Sequence, residues 1–144
     1  MIASLIITTV TVFVIVGLGL FWAKRRRRPR ILDKRHFKKG WAELQKLCRD
    51  KKTWPKALTT ADNLLDEALR KRRVGGKNMG ERLVKAQHLL SNNDGAWYGH
   101  KLRNKLESDS GFRLKESNVK TALVGIRQAL KDLGALPNEQ PKRK

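Results

Sequence analysis

The chain has 144 residues and a formal net charge of +20, from 33 Lys and Arg against 13 Asp and Glu. Its one cysteine, Cys48, excludes an intrachain disulfide and reads as a small buried hydrophobe, and His36, His88 and His100 lie too far apart for metal-ligand spacing. Neither a disulfide scaffold, a metal site nor a cofactor is expected.

The chain opens with Ile2 to Ala23, 22 residues without a charge, and Lys24-Arg25-Arg26-Arg27-Arg28-Pro29-Arg30 begins where that run ends. As a helix the run would span roughly 33 Å, slightly more than the roughly 30 Å hydrocarbon core of a bilayer. A cleaved signal peptide fits less well: no Lys or Arg precedes the run, it is too long, and Phe21-Trp22-Ala23-Lys24 lacks the A-x-A pattern. Phe21 and Trp22 sit where an aromatic interface belt belongs, and Gly17 and Gly19 are too close for a G-x-x-x-G pairing face. Residues 1–23 therefore read as a transmembrane anchor. Lys and Arg beside a span stay inside, so the amino terminus is expected outside the plasma membrane and everything after residue 24 in the cytoplasm.

Residues 24–36 form a basic juxtamembrane linker. Residues 24–39 hold ten Lys or Arg against Asp33, and Lys142-Arg143-Lys144 closes a loose basic tail over 137–144. Each base near anionic headgroups contributes about 1 kcal/mol, so Lys24, Arg25, Arg26, Arg27, Arg28 and Arg30 are expected to contact lipid. The same charges could bind RNA or DNA by counterion release.

From residue 37 to 136 the chain reads as one all-α bundle of about five helices. Phe37, Trp41, Leu44 and Leu47 mark a buried face on a first helix from about Lys34 to Lys51. Thr53 as N-cap and Pro55 in the first turn start a second, from about Trp54 to Arg72, with Leu58, Ala61, Leu64, Leu65, Ala68 and Leu69 facing inward. Asp62, Asp66 and Glu67 on this helix read as ion-pair partners of Arg or Lys, Arg70 among them, and Val74-Gly75-Gly76 stops it. Gly75-Gly76-Lys77-Asn78-Met79-Gly80 lacks the Gly-Lys-Ser/Thr ending of a phosphate loop and reads as a flexible joint. A short third helix runs from about Met79 to Leu90, with Glu81-Arg82 as an exposed first turn. The fourth runs from about Asp94 to Glu107. The fifth, from about Lys115 to Leu133, carries Val119, Leu123, Ile126, Leu130 and Leu133 on one side and ends at Gly134.

The candidate chemistry lies on the fourth helix. Tyr98, Leu102 and Leu106 form one stripe, while Trp97, His100, Asn104 and Ser108 lie nearly opposite, so a second face is in use at a groove, a second-helix contact or a subunit interface. Arg103-Asn104 inside a helix of a small all-α bundle resembles the start of the HEPN signature, in which arginine, often followed by asparagine, precedes a histidine by about five positions. The resemblance implies a dimer bringing two motifs together over RNA, and in catalytic members metal-independent RNA cleavage by the arginine and histidine. Arg103 matches the arginine and Asn104 its polar neighbour, but the histidine position holds Ser108. An unassisted serine hydroxyl lacks the near-neutral pKa of an imidazole base, so no catalytic residue is assigned.

The wider run Trp-x-x-His-Lys-x-Arg-Asn, with Ala61 to Leu69 and Met79 to Leu83 before it, is also similar to uncharacterised membrane-anchored proteins of small-genome bacteria. The resulting expectation is a single-pass membrane protein with a cytoplasmic, HEPN-like binding or adaptor domain. Trp97, His100, Arg103, Asn104 and Ser108 would form its contact surface for RNA, a second copy or an unidentified protein. A membrane-tethered ribonuclease and a non-specific nucleic-acid binder are the alternatives.

Overall fold

The computed structural model describes residues 12–22 and 30–138. They form six α-helices and no strand: α1 (residues 12–22), α2 (Lys34–Leu47), α3 (Trp54–Lys71), α4 (Met79–Ala86), α5 (Asn93–Ser108) and α6 (Glu116–Asp132). Among the described residues no helix is long and apolar enough to cross a membrane. The remainder of the uncharged run, residues 2–11 and Ala23, lies outside the described residues, as do Lys24 to Arg28 and the tail from residue 139. The large apolar side chains of α1 are exposed, Phe13 and Trp22 among them.

Helices α2 to α6 enclose one core, and α3 lies at its centre, touching α2, α4, α5 and α6. The inward stripe of α3 is the one its spacing predicts, with Leu58, Leu65 and Leu69 fully buried. Asp33 starts α2 by accepting from the amides of Arg35 and His36, and Leu32 just before it is already packed in the core.

The ends of the helices differ from expectation in instructive ways. Helix α2 stops at Leu47 rather than Lys51, and a separate 3₁₀ turn, Lys51–Thr53, leads into α3. Thr53 does not cap α3. Its hydroxyl turns back to the carbonyls of Leu47 and Asp50, and the Trp54 indole N–H donates to the Cys48 carbonyl at 3.0 Å. Both side chains thus satisfy carbonyls the preceding helix leaves open. Helix α4 gives way at Ala86 to a second 3₁₀ turn, Gln87–Leu89.

Helix α3 ends before the glycines. Arg73 takes the left-handed position after the cap, with φ of 61°, while its amide donates to Arg70 and that of Val74 to Leu69, the Schellman pattern. Gly134, with φ of 77°, holds the same position after α6, where the amides of Gly134 and Ala135 donate to Lys131 and Leu130.

The segment read as a flexible joint is pinned. Gly76 has φ of 155°, and a Cβ on it would come within 2.8 Å of the Arg82 amide. Its carbonyl accepts from Arg82 Nη1 at 2.6 Å, and Arg82 Nε donates to Asp66 at 2.6 Å. Arg82 is therefore buried, contrary to the exposed first turn expected, because Asp66 on α3 and the Gly76 carbonyl supply acceptors for its guanidinium.

Helices α5 and α6 meet at backbone distance. A Cβ on Gly125 would lie 2.3 Å from both the carbonyl carbon and oxygen of Gly95, and one on Gly99 would lie 2.7 Å from Ile126 Cδ1. Gly95 and Gly99, one turn apart, form the slot into which Gly125 and Ile126 fit. The Tyr98 hydroxyl accepts from Asn118 Nδ2 at 2.9 Å, tying the start of α5 to that of α6.

Candidate functional site

Five side chains from two helices, α3 and α5, meet on the face of α5 opposite the α6 seam. His100 is buried, and its Nδ1–H donates to both carboxylate oxygens of Asp62 on α3, each at 3.1 Å. The Asn104 amide, one turn further along α5, donates from Nδ2 to His100 Nε2 at 3.2 Å. Arg103 Nη1 donates to Asn104 Oδ1 at 3.2 Å, its Nη2 pairs with Glu107 at 2.7 Å, and its Nε stands 3.9 Å from Asp62.

One hydrogen-bond sense satisfies this series. Arg103 can only donate, which sets the Asn104 carbonyl oxygen toward it and the amide nitrogen toward His100. The imidazole then accepts at Nε2 and carries its proton on Nδ1, facing a carboxylate that can only accept. The series thus runs from Arg103 and the exposed Asn104 through His100 to the buried Asp62.

The walls of the site come from neighbouring residues. The Trp97 ring meets His100 edge to face at a centroid distance of 6.1 Å, and Lys101 Nζ lies 5.7 Å from the Trp97 ring centroid. Gly80, in the first turn of α4, comes so near that a Cβ on it would lie 3.7 Å from Trp97 and 3.9 Å from His100 Nε2. The imidazole is therefore enclosed by Asp62, Asn104, Trp97 and α4. Asn104 and Glu107 are exposed, Arg103 and Trp97 are half-buried, and these four present the group to solvent.

Ser108 stands apart. It is exposed at the last position of α5, and its hydroxyl donates to the Lys105 carbonyl at 3.4 Å, so it does not join the other four. Of the acidic residues on α3, Asp66 pairs with Arg70 and Arg82, and Glu67 with Lys71 and His36. Partial burial pushes the Glu67 carboxyl up, but hydrogen bonds and charge from Lys71 and His36 outweigh it and hold the group below the usual carboxylate range. Asp62 instead serves His100. Its place in the sequence carried that signal: it is four residues after Leu58 and seven before Leu69, on the stripe that faces the core. Arg30 is the one headgroup candidate within the described residues, and it lies beside the end of α3. Cys48 is half-buried, and burial pushes its thiol up.

Among the described residues no group of three or more His, Cys, Asp or Glu could hold a metal ion. Comparison with protein-family models, with curated proteins and with solved structures finds no match to this chain.

Proposed function

We propose that this chain is a single-pass membrane protein whose cytoplasmic helical bundle holds a partner at the inner face of the membrane. The contact surface is the one formed by Trp97, Arg103 and Asn104 around the buried His100. The observation that carries the reading is the double engagement of His100: Asp62 takes Nδ1 and Asn104 takes Nε2, so the imidazole orients surface groups and has no free lone pair for a ribose hydroxyl. Three cationic side chains border the surface, Lys101, Arg103 and Lys105, and a polar or acidic face on a protein, on a second copy or on RNA complements it.

The anchor rests on the uncharged run and the Arg-rich segment after it, whose bases set the orientation. A reporter active only in the cytoplasm, fused after Lys144, is expected to be active, and reversed orientation would refute the positive-inside argument for this chain.

The binding test uses full-length protein purified from gently solubilised membranes. Arg103→Ala and Asn104→Ala should lose the co-purifying partner while the helical circular dichroism signal holds. The ribonuclease alternative, favoured by the Asp62–His100 pair, is read in the same preparation incubated with RNA and a chelator. Intact RNA is expected. Cleavage by the wild-type chain that disappears in Arg103→Ala or His100→Ala would replace the binding reading with a HEPN-type enzyme.

A further inference from the structure

The C-terminal end of α3 opens onto a hollow of about 450 Å³ lined by Arg30, Arg70, Lys71, Arg73 and Glu67. Four cations line it with Glu67; Lys71 pairs with Glu67 at 2.7 Å and Arg70 with Asp66 at 3.2 Å, and Glu67 also meets His36 at 3.1 Å. Cations at a helix C-terminus are ordinary because they meet the negative end of the dipole, and Arg70 and Lys71 in the last turn fit that explanation.

Arg73 does not fit it. It occupies the left-handed position that glycine fills without strain, and it does so two and three residues before Gly75 and Gly76. Strain of this kind persists where surrounding contacts fix the residue, and here the Schellman hydrogen bonds hold Arg73 among the residues that line the hollow. The hollow also has a fixed neighbour across the chain. Leu32 is packed in the core, and Arg72 Nη1 reaches the Arg30 carbonyl at 3.5 Å, which holds the end of the juxtamembrane segment against α3.

We infer that Arg30, Arg70, Lys71 and Arg73 form a receptor for the phosphate of an anionic lipid headgroup, docking the end of α3 on the membrane surface. The occupant follows from reach and from charge. Trp22 and Arg30 are eight residues apart, so the hollow cannot lie more than about 27 Å from the end of the apolar run. This part of the argument rests on the proposed anchor. Each base held near an anionic surface strengthens the contact by about fivefold.

The experiment uses the full chain mixed with vesicles of phosphatidylcholine alone or of phosphatidylcholine with phosphatidylglycerol, read by flotation and by amide hydrogen exchange over residues 69–76. Phosphatidylglycerol should slow exchange in that segment, less so at raised salt. Arg73→Gly should lower the protection about fivefold, although it relieves backbone strain and stabilises the bundle in solution. Arg73→Lys should retain the protection, since the charge is kept. A role confined to the fold would move stability and protection in the same direction.

Equal exchange with both vesicle types overturns the receptor, as does equal loss of protection in the Gly and Lys variants. Stronger protection of the segment by single-stranded RNA without vesicles overturns it in favour of nucleic acid. Flotation with phosphatidylcholine alone reads the anchor separately. A chain that floats only with phosphatidylglycerol has lost the anchor and kept the receptor, and one that floats with neither has lost both.

Discussion

Gly125→Ala puts the tightest contact in the bundle to the test. The new methyl group would start 2.3 Å from the Gly95 carbonyl carbon and oxygen and 2.6 Å from its Cα. These are backbone atoms, which no rotamer change can move, so α5 and α6 must separate by about 1 Å to restore van der Waals distance. A gap of that size forfeits about a quarter to a half of each dispersion contact along the seam. Overpacking of this kind costs about 1–3 kcal/mol, and more when backbone must shift. The helix propensity gained on replacing glycine by alanine returns about 1 kcal/mol.

The net expectation is a loss of about 2 kcal/mol, or a fall in Tm of about 10 °C for a domain of this size. Denaturant unfolding of the full chain in mild detergent, followed by circular dichroism, measures it. Gly40→Ala is the control. It makes the same propensity change inside α2, but its Cβ would meet only the flexible end of Leu64, at 3.0 Å. The propensity gain cancels between them, so the two variants should differ by about 3 kcal/mol in favour of Gly40→Ala. Equal stability of Gly125→Ala and the wild type would show that α5 and α6 do not pack at backbone contact.

The remaining predictions concern the core and its polar groups. Leu65→Ala, at a fully buried position on the central helix, should destabilise the bundle by about 2–5 kcal/mol in the same unfolding measurement. His100→Ala should cost about 3–5 kcal/mol because it strands the buried Asp62 carboxylate, and the double variant with Asp62→Ala should cost clearly less than the sum of the two single losses. The Glu67 carboxyl is held below its unfolded value, so its contribution is present above the unfolded pKa and is lost as pH falls through the folded one. Glu67→Gln should accordingly flatten the acid limb of stability against pH without altering its neutral shape.

The helices and their inward faces were legible because they depend on spacing along one segment. Phe37, Trp41 and Leu44 recur at helical intervals, and the chain buries them. What sits across the bundle is not local information. Asp62 could be placed on a buried stripe, but not opposite a histidine 38 residues away. The fourth helix was read for its polar side chains, whereas its glycines decide how it packs. Gly95 and Gly99 are a G-x-x-x-G pair, and that spacing was the available signal. Turn chemistry misled at Thr53, and at the end of α3 the expected boundary near Arg72 is right but the cap residue is not. Thr53 has the identity of an N-cap but closes the helix before it, and after α3 the left-handed position falls on Arg73 with glycines close behind, because cap geometry answers to neighbouring carbonyls as well as to residue preference.

The glycine seam has a bearing on the order in which the chain assembles. Helices α5 and α6 are joined by residues 109–115 alone, and closing so short a loop costs little entropy, so their contact is among the fastest long-lived ones open to the unfolded chain. A hairpin of two helices locked at backbone distance then offers its other face, with His100 and Asn104 already aligned by the helix that carries them. Helix α3 arrives from far along the chain and must bring Asp62 to that imidazole. An α3 docked out of register would bury that carboxylate without a partner, so the His100–Asp62 contact penalises misplacement of the central helix.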